Sequence, residues 1–279
     1  MSQTVFYNGS VIAAENVPVG IGSRSFRYGD SLFESIRVIN TRPMFLQQHL
    51  NRLKLSMASL KMEPILPLST ETIEKAISQV INSNKLFKGC RIRLTVFRDG
   101  SGFYTPDTNR SNVLIEAFGL DQETWQLNSK GLTIDIFPDF QKSLNPLFAN
   151  KSGNSLLYVM AGIWAKEKKV DDCLILNENN YICEAINSNV FIFKDNSLIT
   201  PAISEGCIPG IMREVVIKLA LQMGITVFDD NYVTKHELSG ADEIFLTNAI
   251  RGVQYVVAYK NKRYYNKLAK KLTTELNKL

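Results

Sequence analysis

Residues 206–213 read Gly206-Cys207-Ile208-Pro209-Gly210-Ile211-Met212-Arg213 and run straight into an apolar series with helical spacing at Val215, Val216, Leu219 and Ala220. A glycine-bearing turn that feeds a helix leaves backbone N–H groups without acceptors at the positive end of the helix dipole, an arrangement suited to an anion such as phosphate. Glycine is also enriched at plain loop-to-helix junctions, so spacing alone leaves both readings open. No GxxxxGK[ST] occurs and no GxGxxG follows a strand, which removes the usual support for ATP or dinucleotide binding.

Outward from this turn, the pattern predicts strands over 132–137, 173–176, 190–193, 244–247 and 255–259, and helices over 155–168 and 211–223. On the N-terminal side, Thr4–Ile12 holds two β-rich runs around Asn8-Gly9, a strong hairpin signal. A second hairpin is expected from Glu34–Ile39 and Pro43–Leu46, turning at Asn40-Thr41. Leu50, Leu53, Met57 and Leu60 recur at helical spacing, as do Ile73, Ala76, Ile77, Val80 and Ile81. Strands follow at 91–97 and 113–118. Hairpins mixed with helices, without a regular βαβ beat, predict an α+β (mixed α/β) fold rather than a doubly wound parallel sheet. The polar stretch 119–130 sets an expected boundary between a small N-terminal α/β domain, 1–120, and a larger C-terminal α/β domain, 121–279.

The chain has 279 residues, 45% apolar and 21% charged, the composition of a folded globular protein rather than a disordered or collagen-like one. Its 32 Lys and Arg against 27 Asp and Glu give a net charge of +5. From Lys260 onward seven basic residues stand against Glu275 alone, so the first 259 residues carry 25 basic and 26 acidic groups. The surplus belongs to the tail, where Tyr264, Leu268, Leu272, Leu276 and Leu279 fall near helical spacing and predict a docked basic C-terminal helix. A nucleic-acid or other basic binding module is the competing reading of that charge, but no aromatic-interleaved basic patch or recognition motif accompanies it. No apolar run approaches the length of a membrane span and no secretory signal is visible, so no membrane partner and a cytoplasmic protein are expected. Four scattered cysteines without a CxxC pair, and only His49 and His236, argue against a metal site.

Other candidates are weak one at a time. Arg52, between apolar positions of a helix, can present a fork to phosphate or carboxylate, or simply snorkel at the surface. Lys151, just ahead of a helix, becomes a nucleophile or Schiff-base former if a closed pocket takes its proton. Glu184 ends a short strand, where a carboxylate is usually solvated.

In order along the chain, Phe26–Glu34 with Arg37, His49-x-x-Arg52-Leu53, Lys151-x-x-Asn154, Glu184-x4-Asn189-Val190-Phe191, Gly210–Arg213 and Glu243–Ala249 together resemble the aminotransferase class IV family. These are the fold type IV enzymes that use pyridoxal 5′-phosphate, among them branched-chain and D-amino-acid transaminases and 4-amino-4-deoxychorismate lyase. The resemblance runs from the opening hairpin to about Tyr259. It implies a two-domain fold of the D-amino-acid/branched-chain aminotransferase type, in a homodimer acting on a small amino substrate. Lys151 would be the Schiff-base lysine in the C-terminal domain and would shuttle protons at the reacting carbon. Glu184 would hold the proton of the pyridine nitrogen. Arg52 and the N–H groups of Ile211 and Met212 would bind the phosphate, with Thr247 and Asn248 also reaching it. Asn189 would be structural. Tyr28 and Arg98 would line the substrate pocket. Arg251, just after Ala249, departs from the patterns of both lyases and transaminases and reads either as a partner for a substrate carboxylate or as a structural or dimer-contact arginine.

Two reactions share this apparatus. Thr247-Asn248-Ala249 and the Met at 212 are similar to the lyase, which expels pyruvate to leave 4-aminobenzoate. Lys151-Ser152-Gly153-Asn154 and Phe33-Glu34 are similar to transaminases. The expectation from the sequence is the lyase, with a branched-chain or D-amino-acid transaminase as the alternative.

Overall fold

Asn8 and Gly9 both adopt positive φ, 49° and 108°, which is what a two-residue turn matching the twist of its strands requires. They close the hairpin of β1 (Thr4–Tyr7) and β2 (Ser10–Ala13), the edge of the first of two units in the computed structural model, which describes residues 3–279. That unit comprises residues 1–124 together with 150–154. It continues through α1 (Arg24–Tyr28), β3 (Ser31–Ile39), β4 (Arg42–Pro43), α2 (Leu46–Ser59), β5 (Glu63–Pro64), α3 (Thr70–Asn84), β6 (Gly89–Arg98) and β7 (Arg110–Leu120). The sheet order is β2-β1-β7-β6-β3-β4, with β5 beside β7. The apolar stripes read from the sequence, Leu50, Leu53 and Met57 on α2 and Ile73, Ile77, Val80 and Ile81 on α3, are buried with Ile36, Val38, Ile92, Leu94 and Ile115 of the sheet. Their removal from water is the main drive for this layer.

The second expected hairpin is shorter than the sequence suggests. Asn40 and Thr41 make the turn, but β4 ends at Pro43 and the chain bends through Phe45 into α2. Proline has no N–H to continue the ladder. Beyond β4, the same edge of β3 is covered by the segment 150–154: Phe33 N–H donates to the Lys151 carbonyl at 2.9 Å and Gly153 N–H to that of Ser31 at 2.8 Å.

The second unit comprises residues 125–149 and 155–279. Its elements are β8 (Leu132–Ile136), α4 (Leu156–Lys168), β9 (Asp172–Leu176), β10 (Ile182–Ala185), β11 (Asn189–Lys194), β12 (Ser197–Pro201), α5 (Ile211–Gln222), β13 (Thr226–Asn231), α6 (Lys235–Gly240), β14 (Glu243–Asn248), β15 (Gly252–Tyr259), β16 (Lys262–Arg263) and α7 (Lys267–Leu276). The order is β10-β9-β8-β15-β14-β11-β12-β13, with β16 beside β15. Pairs β8/β9, β8/β15 and β12/β13 are parallel and the others antiparallel, so the sheet is mixed, as the hairpin-rich sequence predicted. β13 is an edge strand with almost every side chain exposed, and therefore shows no alternation in sequence.

The basic tail is a helix, as predicted: α7 buries Leu268, Leu272 and Leu276 and leaves Lys267, Lys270 and Lys271 exposed. The buried Glu243 carboxylate caps it, receiving Leu268 N–H at 2.9 and 3.0 Å and Ala269 N–H at 3.2 Å. No helix among the described residues is long and apolar enough to cross a membrane.

Candidate active site

In the first unit the site residues hang on β3. Glu34 faces inward with 1% of its side chain exposed, and Arg52 on α2 grips it with two prongs: Nε donates to Oε1 at 2.8 Å and NH2 to Oε2. His49, one turn earlier on α2, places Nδ1 2.7 Å from the same Oε2. Burial alone raises the Glu34 carboxyl, but the Arg52 charge and the His49 and Arg52 hydrogen bonds outweigh it and bring it down to about 2. Burial lowers His49 more than Glu34 raises it, so the ring is neutral, Nδ1–H is the donor, and Arg52 is the counter-ion. His49 Nε2 is buried with no hydrogen-bond partner.

Lys151 sits on the neighbouring residue's side of the strand, with its Nζ 4.3 Å from the centre of the Phe33 ring. Gly153 is bare by necessity: a Cβ there would lie 2.4 Å from Ser31 Oγ and 3.1 Å from the Gly29 carbonyl. Arg52 and Lys151 are thus both fixed through β3, the first by Glu34 and the second by Phe33. By its contacts the segment carrying Lys151 groups with the first unit, whereas the sequence reading assigned it to the C-terminal domain.

Tyr28 ends α1 and tilts against Tyr104, ring centres 5.6 Å apart, with Tyr104 90% exposed. Arg98, expected at the substrate, is engaged by groups of the first unit itself. It is buried and makes four hydrogen bonds, to Asp30 Oδ2, the Lys61 and Leu60 carbonyls and Asn109 Oδ1. Such a hub leaves little of the guanidinium for a ligand.

In the second unit, Glu184 lies within β10, buried rather than solvated at a strand end. Its Oε1 receives Lys142 Nζ at 2.5 Å and Tyr158 OH at 2.7 Å; its Oε2 receives Ile208 N–H at 2.9 Å. That last bond ties Glu184 to the turn before α5. Asn189 ties the same turn from β11, its Nδ2 donating to the Ile208 carbonyl at 2.9 Å. At Gly210 a Cβ would meet Asn189 Oδ1 at 1.9 Å, so a side chain there would have to displace Asn189 from the turn. α5 then begins at Ile211 without a side-chain cap, so the N–H groups of Ile211 and Met212 have no acceptor within the helix.

Thr247 pairs with Asn189 across β14 and β11, bringing it to this end of the sheet. Its hydroxyl is buried and has no hydrogen-bond partner. Asn248 donates to Ser188 Oγ and Asn187 Oδ1, while its own Oδ1 receives the N–H groups of Ile250 and Arg251 at 3.1 and 2.8 Å. It shapes the turn that presents the exposed Arg251, whose NH1 is 3.3 Å from Gln254 Oε1.

Lys142 and Tyr158 were not anticipated. Lys142 is 1% exposed but stands in the polar run Gln141-Lys142-Ser143, which carries no periodic signal. Tyr158 reads in sequence as one more apolar position of α4.

This second unit fits pyridoxal 5′-phosphate on its own geometry. An uncapped helix start and an orphaned buried hydroxyl are suited to a phosphate, and a buried carboxylate tied to the same turn is suited to a ring nitrogen.

Comparison with known proteins agrees. The profile of amino-transferase class IV matches residues 31–259. The branched-chain-amino-acid aminotransferase of Salmonella typhimurium is 30% identical over 257 residues, 87% of this chain and 80% of the relative. A Legionella pneumophila protein provisionally named a 4-amino-4-deoxychorismate lyase is 27% identical with a TM-score of 0.82, covering 96% of this chain and 97% of its own. The branched-chain aminotransferase of Thermoproteus uzoniensis shares the fold, with a TM-score of 0.89 at 22% identity over 99% and 94% of the two chains. With the profile spanning most of its length, this chain belongs to the class IV aminotransferase family, whose enzymes use pyridoxal 5′-phosphate.

Proposed function

We propose that the protein is a 4-amino-4-deoxychorismate lyase that binds pyridoxal 5′-phosphate. The observation that carries this reading is the Thr247-Asn248-Ala249 end of β14, where the Asn248 side chain holds the turn bearing Arg251, a cation available for a substrate carboxylate. The Legionella likeness supports it. When bound, the cofactor supplies an electron sink for the substrate carbon attached to nitrogen. Lys151 would take the proton from that carbon and deliver it to the departing three-carbon enol, which leaves as pyruvate while the ring becomes aromatic. Glu184 holds the proton on the ring nitrogen. On the family reading, Arg52, the N–H groups of Ile211 and Met212, Thr247 and Asn248 would hold the phosphate, and Tyr28 would serve the substrate side. Expulsion of pyruvate then leaves 4-aminobenzoate.

The second reading, a branched-chain or D-amino-acid transaminase, is favoured by the 30% identity to the Salmonella enzyme and by Phe33-Glu34 beside Lys151. A panel read for both outcomes separates them. Release of pyruvate and 4-aminobenzoate from aminodeoxychorismate supports the lyase. Turnover of branched-chain or D-amino acids with 2-oxoglutarate or pyruvate, without that release, replaces it by the transaminase.

A homodimer is part of the proposal. Leu156, Val159, Met160 and Ile163 form one exposed apolar face of α4 at helical spacing, the kind of surface a second copy covers. Sedimentation should give twice the chain mass, and Met160→Glu should lower it. The four buried free cysteines suit a reducing cytoplasm.

A further inference from the structure

Lys142 and Tyr158 have no role in the chemistry above, yet both end on the same oxygen of Glu184. Lys142 Nζ lies 2.5 Å from Oε1 and 2.8 Å from the Tyr158 hydroxyl, which itself donates to Oε1 at 2.7 Å. A carboxylate oxygen has two lone pairs, so Oε1 is filled, while Oε2 holds only the Ile208 N–H and retains one. Lys142 is the one cation bonded to Glu184 among the described residues, and both are buried. The other titratable groups nearby stay neutral: burial and the Glu184 charge push up the Tyr158 phenol and the Cys183 and Cys207 thiols. Glu205 and Arg213 act on those thiols from farther out. A buried carboxylate is costly without a counter-ion, which here is the Lys142 ammonium, and it is the negative charge of a carboxylate that holds a proton on a ring nitrogen.

We propose that Lys142, backed by Tyr158, is a positioning residue that keeps Glu184 ionised before the cofactor arrives and reserves Oε2 for the ring-nitrogen proton. The inference rests on the cofactor reading above. It assigns to a buried lysine in a loop a control over the protonation of the cofactor that no contact with substrate is needed to exert.

The test uses the full chain before and after loading with pyridoxal 5′-phosphate. Without cofactor, infrared difference spectra at about neutral pH should show no protonated Glu184 carboxyl in the wild type. Lys142→Met should gain that band, an added Glu184→Gln should remove it, and Lys142→Arg should stay like the wild type. After loading, the midpoint of the pH-dependent visible absorbance should move up by about one unit or more in Lys142→Met, because loss of a nearby cation raises proton affinity. Tyr158→Phe should move it the same way by less, and it carries the test should Lys142→Met fail to fold. A protonated Glu184 in the wild type, or midpoints unmoved in the folded variants, would overturn the proposal. Failure to bind cofactor would sink the cofactor reading, and the infrared comparison would still decide this one.

Discussion

Glu34 and Arg52 are locked in a two-pronged ion pair inside the first unit, Nε to Oε1 at 2.8 Å and NH2 to Oε2, with neutral His49 closing the other side of Oε2. A planar guanidinium held by two parallel bonds has its orientation fixed before any ligand is present. Glu34 therefore acts behind Arg52, as Lys142 acts behind Glu184: in both places an ion pair sets the pose of a residue proposed to hold the cofactor.

The pair makes the fold acid-sensitive. The Glu34 carboxyl lies at about 2 against an ordinary 4.5, so the folded chain binds this proton less readily than the unfolded one. Its stabilisation, about 3 kcal/mol, is complete above pH 4.5 and disappears as pH falls toward 2. Denaturant titrations of wild type and Glu34→Gln should differ by that amount near neutral pH and converge in acid. A gap that persists at low pH would remove Glu34 as the cause.

Arg52 and Glu34 should separate in their effects on the cofactor. Arg52→Ala should weaken pyridoxal 5′-phosphate binding by about tenfold to a hundredfold, the loss of one or two charge-assisted hydrogen bonds. Glu34→Gln keeps the cation and loosens its pose, so a smaller loss is expected. Equilibrium dialysis with the two variants measures both, and an unchanged dissociation constant for Arg52→Ala would take it out of the phosphate site.

Asp172 runs the other way. Burial raises its carboxyl to about 6, above the ordinary 3.8, although it receives the N–H groups of Cys173 and Ile186 and feels Arg251. A carboxyl that binds its proton better when folded costs stability as pH rises from 3.8 through 6. Asp172→Asn keeps the acceptor oxygen without the charge. It should stabilise the chain by about 2–3 kcal/mol at about pH 8 and by nothing below pH 3.8, as read by denaturant titration at the two values.

Glu243 anchors the C-terminal helix by accepting its first N–H groups, a charge placed at the positive end of the dipole. Glu243→Ala should cost about 2 kcal/mol. The loss should appear first as faster amide exchange in α7, and uniform exchange along the chain would contradict the cap.

The fold was legible where burial repeats. The stripes of α2 and α3 emerge from periodicity because each helix buries one face. The first hairpin shows in its Asn8-Gly9 turn, and the strands at 190–193 and 244–247 show as short apolar runs because they are buried on both faces. β13 did not, because an exposed edge strand has no buried face to leave a pattern. The site was legible only as an ordered set of motifs. Arg98 and Arg52 look alike in sequence, yet Asp30 and backbone carbonyls claim the first while Glu34 presents the second. Lys142 was hidden altogether, since its partner Glu184 lies 42 residues away and the contact exists only after β9 and β10 have paired.

The central claim is that Lys151 is the residue that carries the cofactor. Borohydride reduction of the protein loaded with pyridoxal 5′-phosphate, followed by peptide mass mapping, tests it most directly. The account predicts a phosphopyridoxyl group on Lys151 and none in Lys151→Ala. A label on another lysine, or a Lys151→Ala chain labelled as well as the wild type, would contradict it.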